Sequence, residues 1–182
     1  MTSSDLERRK LALIAEIHEA FHGVSRADGV SWTQSIAEDL YWTPEQLQES
    51  GLMDTDQCWE DLIDDESWRD APGVGGFNFL DPIGFRYYLP AAMIRDLRRG
   101  YSETLDFNLR FPPPGAKDRN WHIERLSKLD HKQRQCVASF VRFSMDRSIE
   151  ADDDLSFEDW QHAWENYWKS VAGSDPDSNS AS

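Results

Sequence analysis

A chain of 182 residues fits one domain with a tail better than two domains, and its eight tryptophans and nine phenylalanines suffice to build an aromatic core. A formal net charge of −15 counts against nucleic acid and against anionic membrane surfaces, both of which select clusters of Lys and Arg. The same charge suits a basic protein partner drawn in by long-range attraction.

The first helix is capped by Ser4 or Asp5, carries Leu6, Ile14, Ile17 and Phe21 at near-helical spacing, and is ended by Gly23. A loop leads to Ser31, the cap of a second helix through Ile36 and Leu40. Thr43-Pro44-Glu45-Gln46 reads as a cap, a proline in the first turn and a capping-box glutamine, opening a third helix that Gly51 stops. A fourth starts near Thr55 and carries Cys58, Trp59, Leu62 and Ile63. Residues 70–76, DAPGVGG, break all periodicity and read as a loop.

The stretch GFNFLDPIGFRYYLPAAMI, residues 76–94, is the densest apolar and aromatic segment. Phe77 and Phe79 alternate with Asn78, Asp81-Pro82-Ile83-Gly84 has the residues of a type I turn, and Phe85, Tyr87 and Leu89 alternate again. The pattern predicts a β-hairpin, with Arg86 facing away from Phe85 and Tyr87, followed by a helix from Pro90 to Gly100. FPPPGAKD, residues 111–118, reads as an extended exposed crossing, and Leu126 and Leu129 mark a short turn.

Asp130 with Gln133 makes a capping box for a long helix to about Met145 that buries Val137, Phe140, Val141 and Ser144. EADDD, residues 150–154, reads as a solvated linker. A last helix starts at Leu155-Ser156, with a staple from Leu155 to Trp160, and lines up Trp160, Trp164, Tyr167, Trp168 and Val171. The expected fold class is α+β: a helix-dominated single domain over residues 1–172 with one central β-hairpin, and a disordered tail over 173–182.

Charge is unevenly spread. From Glu38 to Asp70 there are twelve acids and one base, Arg69, whereas from Arg86 to Arg147 there are thirteen bases and seven acids. The acidic segment is either a solvated face or a docking face for a basic partner.

One catalytic motif occurs. His18-Glu19-Ala20-Phe21-His22 matches the H-E-x-x-H pattern, in which two histidines four apart on a helix hold zinc and the glutamate activates a metal-bound water. A third ligand at the metzincin offsets is lacking, and His18 and His22 lie at the border of the apolar stripe centred on Ile14, Ile17 and Phe21. The sequence has no G-x-S-x-G, P-loop or G-x-G-x-x-G. Cys58 and Cys136 are far apart, in no metal-binding spacing, and read as small buried hydrophobes. With no apolar leader and no membrane-length apolar run, the expected compartment is the cytoplasm.

FLDPIGFRYYLPAAMI resembles the F-L-D-x-x-G-F-R-[FY]-Y-L-P-A motif of a family of small uncharacterised bacterial domains. SWTQSIAEDLYW at 31–42, LDHKQRQCVASFVRFSMD at 129–146 and WENYW at 164–168 resemble its other helices, so the likeness spans about residues 11–170. The resemblance implies no activity, cofactor or catalytic residue. The positions that match are Asp39, Asp81, Gly84, Phe85, Arg86, Tyr88 and Pro90. Turn chemistry accounts for Asp81 and Gly84, and helix initiation for Pro90. Asp39 and Arg86 have no such local reason, and an ion pair joining them would supply one. The expectation is an interaction module of immunity, antitoxin-like or adaptor type, with Asp39, Arg86 and Tyr88 as binding residues, a basic protein partner and no cofactor. The alternative is a zinc-dependent hydrolase using His18, Glu19 and His22.

Overall fold

The computed structural model describes residues 3–68, 75–99 and 105–174. Among them every regular element is a helix: α1 (Ser3–Ala20), α2 (Trp32–Asp39), α3 (Pro44–Ser50), α4 (Pro82–Arg99), α5 (Leu105–Leu109), α6 (Arg119–Arg125), α7 (His131–Glu150), α8 (Asp154–Ala163) and α9 (Lys169–Ala172). A π-helical segment, Trp164–Trp168, runs from α8 into α9, and 3-10 turns occupy Trp59–Leu62 and Gly76–Phe79. The helix-closing role expected of Gly100, the loop at 70–74 and the tail at 175–182 lie outside the described residues.

The expected hairpin is replaced by a helix, and the class is all-α rather than α+β. Two physical reasons account for the misreading. Asp-Pro-x-Gly suits a type I turn, but that turn has helical dihedrals, so the same residues also start a helix. Here Gly84 N–H donates to Asp81 Oδ1 at 2.8 Å and Phe85 N–H to Asp81 O at 2.8 Å, which makes Asp81 the cap of α4 and Pro82 its first residue. Moreover, α4 is buried at every position from Tyr87 to Leu97, so no polar face imposes a 3.6-residue period on its sequence. Pro90 sits inside this helix instead of starting one. Phe77 and Phe79 belong to a 3-10 turn and not to a strand.

The described residues divide into two compact units. The first comprises the chain up to Ala20, Leu109–His122 and Leu129 onward. Its centre is the antiparallel pair α1 and α7. Arg9 meets Asp146 at 2.8 Å at one end, and Lys132 meets Glu19 at 2.6 Å at the other. The Asp130–Gln133 capping box forms as expected, a motif worth about 1 kcal/mol, and Gln133 Nε2 also donates to Ala20 O at 3.2 Å. Val137, Phe140, Val141 and Ser144 are buried, and Phe140 meets Trp160 edge to face at 5.8 Å between ring centroids.

The α8 cap is Asp153, which accepts from Ser156 N–H at 3.1 Å, rather than Ser156 itself. Leu155 is 79 % exposed, so the expected staple to Trp160 does not form. Trp168 is buried and its indole N–H donates to Leu109 O at 2.9 Å, while Tyr167 stacks on Phe111 with centroids 3.9 Å apart. The crossing at 111–118 therefore buries its first residue, Phe111.

The second unit comprises Phe21–Asn108 and Ile123–Lys128. Capping boxes at Ser31–Gln34 and Thr43–Gln46 start α2 and α3 as expected. The core is a run of rings. Trp32 lies 5.0 Å from Trp68, 5.4 Å from Phe77 and 5.2 Å from Tyr88. Trp59 is fully buried and its indole N–H donates to Phe21 O at 3.0 Å. Gly75, at φ +70°, lies so close to α2 that a Cβ there would stand 2.6 Å from the Ile36 backbone.

Candidate functional site

The second unit contains a cavity of about 610 Å³ between the start of α2, the segment 53–68 and α4. Its apolar walls are Trp32, Ile36, Met53, Leu62, Trp68 and Tyr88. Four carboxylates share the lining, Asp54, Asp56, Asp61 and Asp65, and among the described lining residues there is no Lys or Arg.

Each wall is fixed by a local device. The Ser31 box sets the first turn of α2, which leaves Trp32 N–H free to donate to Tyr88 Oη at 2.8 Å. Thr33 holds Asp54 twice, through its N–H at 2.9 Å and its hydroxyl at 2.6 Å, and Arg26 Nη1 lies 3.6 Å from the same carboxylate. Tyr87 donates its hydroxyl to Asp56 Oδ2. Asp61 accepts from Gln57 N–H at 2.8 Å and Cys58 N–H at 3.2 Å, and Asp65 accepts from Ser67 N–H at 2.8 Å and its hydroxyl at 2.7 Å.

The 62–68 segment is clipped to α4 by Arg95, which is buried. Its Nη1 donates to the carbonyls of Leu62 at 3.2 Å, Asp65 at 3.2 Å and Trp68 at 2.7 Å, and its guanidinium lies 4.8 Å from the centre of the Trp68 ring. Trp68 is 5 % exposed, and its indole N–H has no hydrogen-bond partner among the described residues. Such an orphan donor costs about 1–3 kcal/mol until an acceptor reaches it.

The electrostatics favour binding of positive charge. Backbone N–H groups of Gln57 and Cys58 hold Asp61 below the ordinary aspartate range, and the hydroxyl and N–H of Ser67 do the same for Asp65, so both are ionised at neutral pH. Burial, and then the hydrogen bond to Asp56, raise Tyr87; burial raises Tyr88. Both phenols stay protonated at neutral pH.

Of the residues singled out in the sequence, Tyr88 lines this cavity. Asp39 instead accepts from Gly75 N–H at 2.7 Å and so ties the 75–76 turn to α2. Arg86 is partly exposed on α4, and among the described residues it makes no ion pair with Asp39. Trp32, Trp68 and the four aspartates were not singled out individually. The available signal was the acid density of 38–70, which marks the segment without showing which carboxylates converge.

The H-E-x-x-H geometry requires both histidines on one helix. Here α1 ends at Ala20, Gly23 adopts φ +70°, and His22 lies in the turn beyond the helix. Glu19 is paired with Lys132. Among the described residues no three His, Cys, Asp or Glu side chains are grouped to hold a metal ion. Cys136 is buried, which raises its thiol far above the ordinary value and keeps it unreactive.

The family model of a family of unknown function (DUF6714) matches residues 9–172, so the chain belongs to that family. No curated protein and no solved structure matches it.

Proposed function

Membership of this family assigns no activity, and we propose from the geometry that the protein is an interaction module receiving a basic protein partner on the acidic cavity of its second unit. The observation that carries this reading is the lining: four aspartates over an apolar floor, of which Asp54 is paired with Arg26 while Asp56, Asp61 and Asp65 have no ion-pair partner among the described residues. Asp61 and Asp65 are held as acceptors and not as proton donors, which suits recognition better than acid–base chemistry. Immunity or antitoxin-like proteins and regulatory adaptors are the functional types that such a charged face serves. The compartment in this reading is the cytoplasm, where Cys58 and Cys136 remain thiols.

The test is titration of the full chain with a tetra-arginine peptide, followed by intrinsic tryptophan fluorescence at low and high salt. Binding is expected at low salt and weakens as salt rises. The Asp61→Asn/Asp65→Asn double variant weakens it by about tenfold, since two charges at the contact are removed. Equal response to tetra-arginine and tetra-glutamate, or equal affinity of the double variant, overturns the assignment.

A further inference from the structure

We propose that the partner's docking segment is amphipathic: one lysine or arginine side chain enters the cavity, while apolar residues of the same segment cover Leu40, Tyr41, Trp42, Leu52 and Met53. This rests on the reading above and adds the chemistry of the contact segment. The apolar residues adjoin the cavity through two of its lining residues. Met53 lines the cavity and is 64 % exposed, with Leu52 beside it at 83 %. Ile36 also lines the cavity, and Leu40 caps the end of α2 one turn later, its N–H donating to Ile36 O at 3.0 Å. Five of the eleven large hydrophobic side chains exposed among the described residues thus lie in two short stretches, 52–53 beside the start of α2, where Thr33 holds Asp54, and 40–42 just past its end. Two such stretches, one lining the cavity through Met53 and one reached from it along Ile36, suit a contact segment that spans both, unlike hydrophobics scattered singly.

Tyr41 strengthens the argument. It is 93 % exposed and adopts φ +57°, the left-handed conformation that ends helices and favours glycine. Folding has no use for a tyrosine at this position, whereas tyrosine and tryptophan are the side chains that anchor protein interfaces. Exposed Glu38, Glu45 and Glu49 flank the apolar residues, so the whole face selects a segment carrying positive charge. The floor explains why the entering side chain is long. Ile36, Met53 and Leu62 cover an alkyl stem while the carboxylates receive its charged end. The unpartnered Trp68 indole N–H suits a segment of main chain, which brings carbonyl acceptors with it.

Two peptides of equal charge test this, one of four arginines and four leucines, the other with serines in place of the leucines. Both are titrated into the full chain and into a Tyr41→Ser/Leu52→Ser variant, whose replaced side chains are exposed and whose folding is checked by circular dichroism. The leucine peptide is expected to bind the natural chain about tenfold tighter than the serine peptide, and the variant to lose that preference. Asp61→Asn/Asp65→Asn is expected to weaken both peptides alike and leave the preference intact. Absence of a preference, or a preference that survives Tyr41→Ser/Leu52→Ser, overturns the amphipathic segment. Unchanged binding of the serine peptide by the aspartate variant overturns the basic-partner reading instead.

Discussion

In the first unit, acids sit beside bases: Arg9 and Arg142 reach Asp146, Lys132 reaches Glu19, Arg110 reaches Asp159 and Lys169 reaches Glu165. In the second, the acidic stretch from Glu38 to Glu66 takes two ion-pair partners among the described residues, Arg26 on Asp54 and Arg98 on Asp64. The remaining carboxylates face solvent or accept hydrogen bonds from backbone and hydroxyl groups. Charge in one region therefore trims a helical packing arrangement, and each exposed pair there contributes about 0–1 kcal/mol. In the other, Asp54 aside, it is left without an ion-pair partner among the described residues around a cavity, where it repels itself and attracts an outside cation. The contrast separates charge that serves the fold from charge that the fold merely carries.

The strongest way to sharpen that contrast is Arg95→Met. The variant leaves the carbonyls of Leu62, Asp65 and Trp68 without their donor and costs about 3 kcal/mol or more. Hydrogen exchange should show faster exchange across 59–68 and α4, with the α7 amides unchanged. Equal loss in both units would mean that the clip is not local.

Next in size is alkaline sensitivity, expected of the second unit's core. Tyr87 and Tyr88 have folded values raised above the ordinary 10.0, so the stability they contribute is fully present below pH 10 and is lost as pH rises above it. The slope is up to about 1.4 kcal/mol per pH unit for each phenol. Urea midpoints measured on either side of pH 10 read it together with the raised Cys136 and Tyr167 of the first unit, and Tyr87→Phe should remove one phenol's share of the slope. A flat profile would show that these phenols are not shielded.

The smallest effect has the opposite sign. Tyr41→Gly relieves a left-handed non-glycine residue and should stabilise the chain by about 1 kcal/mol in thermal melts. Destabilisation would give the tyrosine a folding role and remove one support for the contact face.

Legibility also differed between the two units. The long helix α7 was readable because one face is buried and the other wet, so Val137, Phe140, Val141 and Ser144 fall at helical spacing behind an Asp130–Gln133 cap. The helix α4 was not, because burial on all sides erases the period and leaves aromatic runs that alternate by accident. The short helices α5 and α6 escaped for another reason: five and seven residues are too few to show a period, and packing decides them. Tyr88 was found as a candidate through its family-like motif, whereas Trp32 and Trp68 look like any core tryptophan until the fold places them on one wall.

Local chemistry by itself determined the capping boxes at Ser31, Thr43 and Asp130, the helix stop at Gly51 and the acid density of 38–70. These depend on neighbours within a few residues or on a plain count. Tertiary structure alone decided that the 76–94 segment is helical, that α1 stops before His22, and that Asp54, Asp56, Asp61 and Asp65 converge with Trp32, Trp68 and Tyr88 on one cavity. The physical reason is common to all three. Each depends on which faces are hidden from water and which distant backbone atoms satisfy a donor, and neither is encoded at any fixed spacing along the chain.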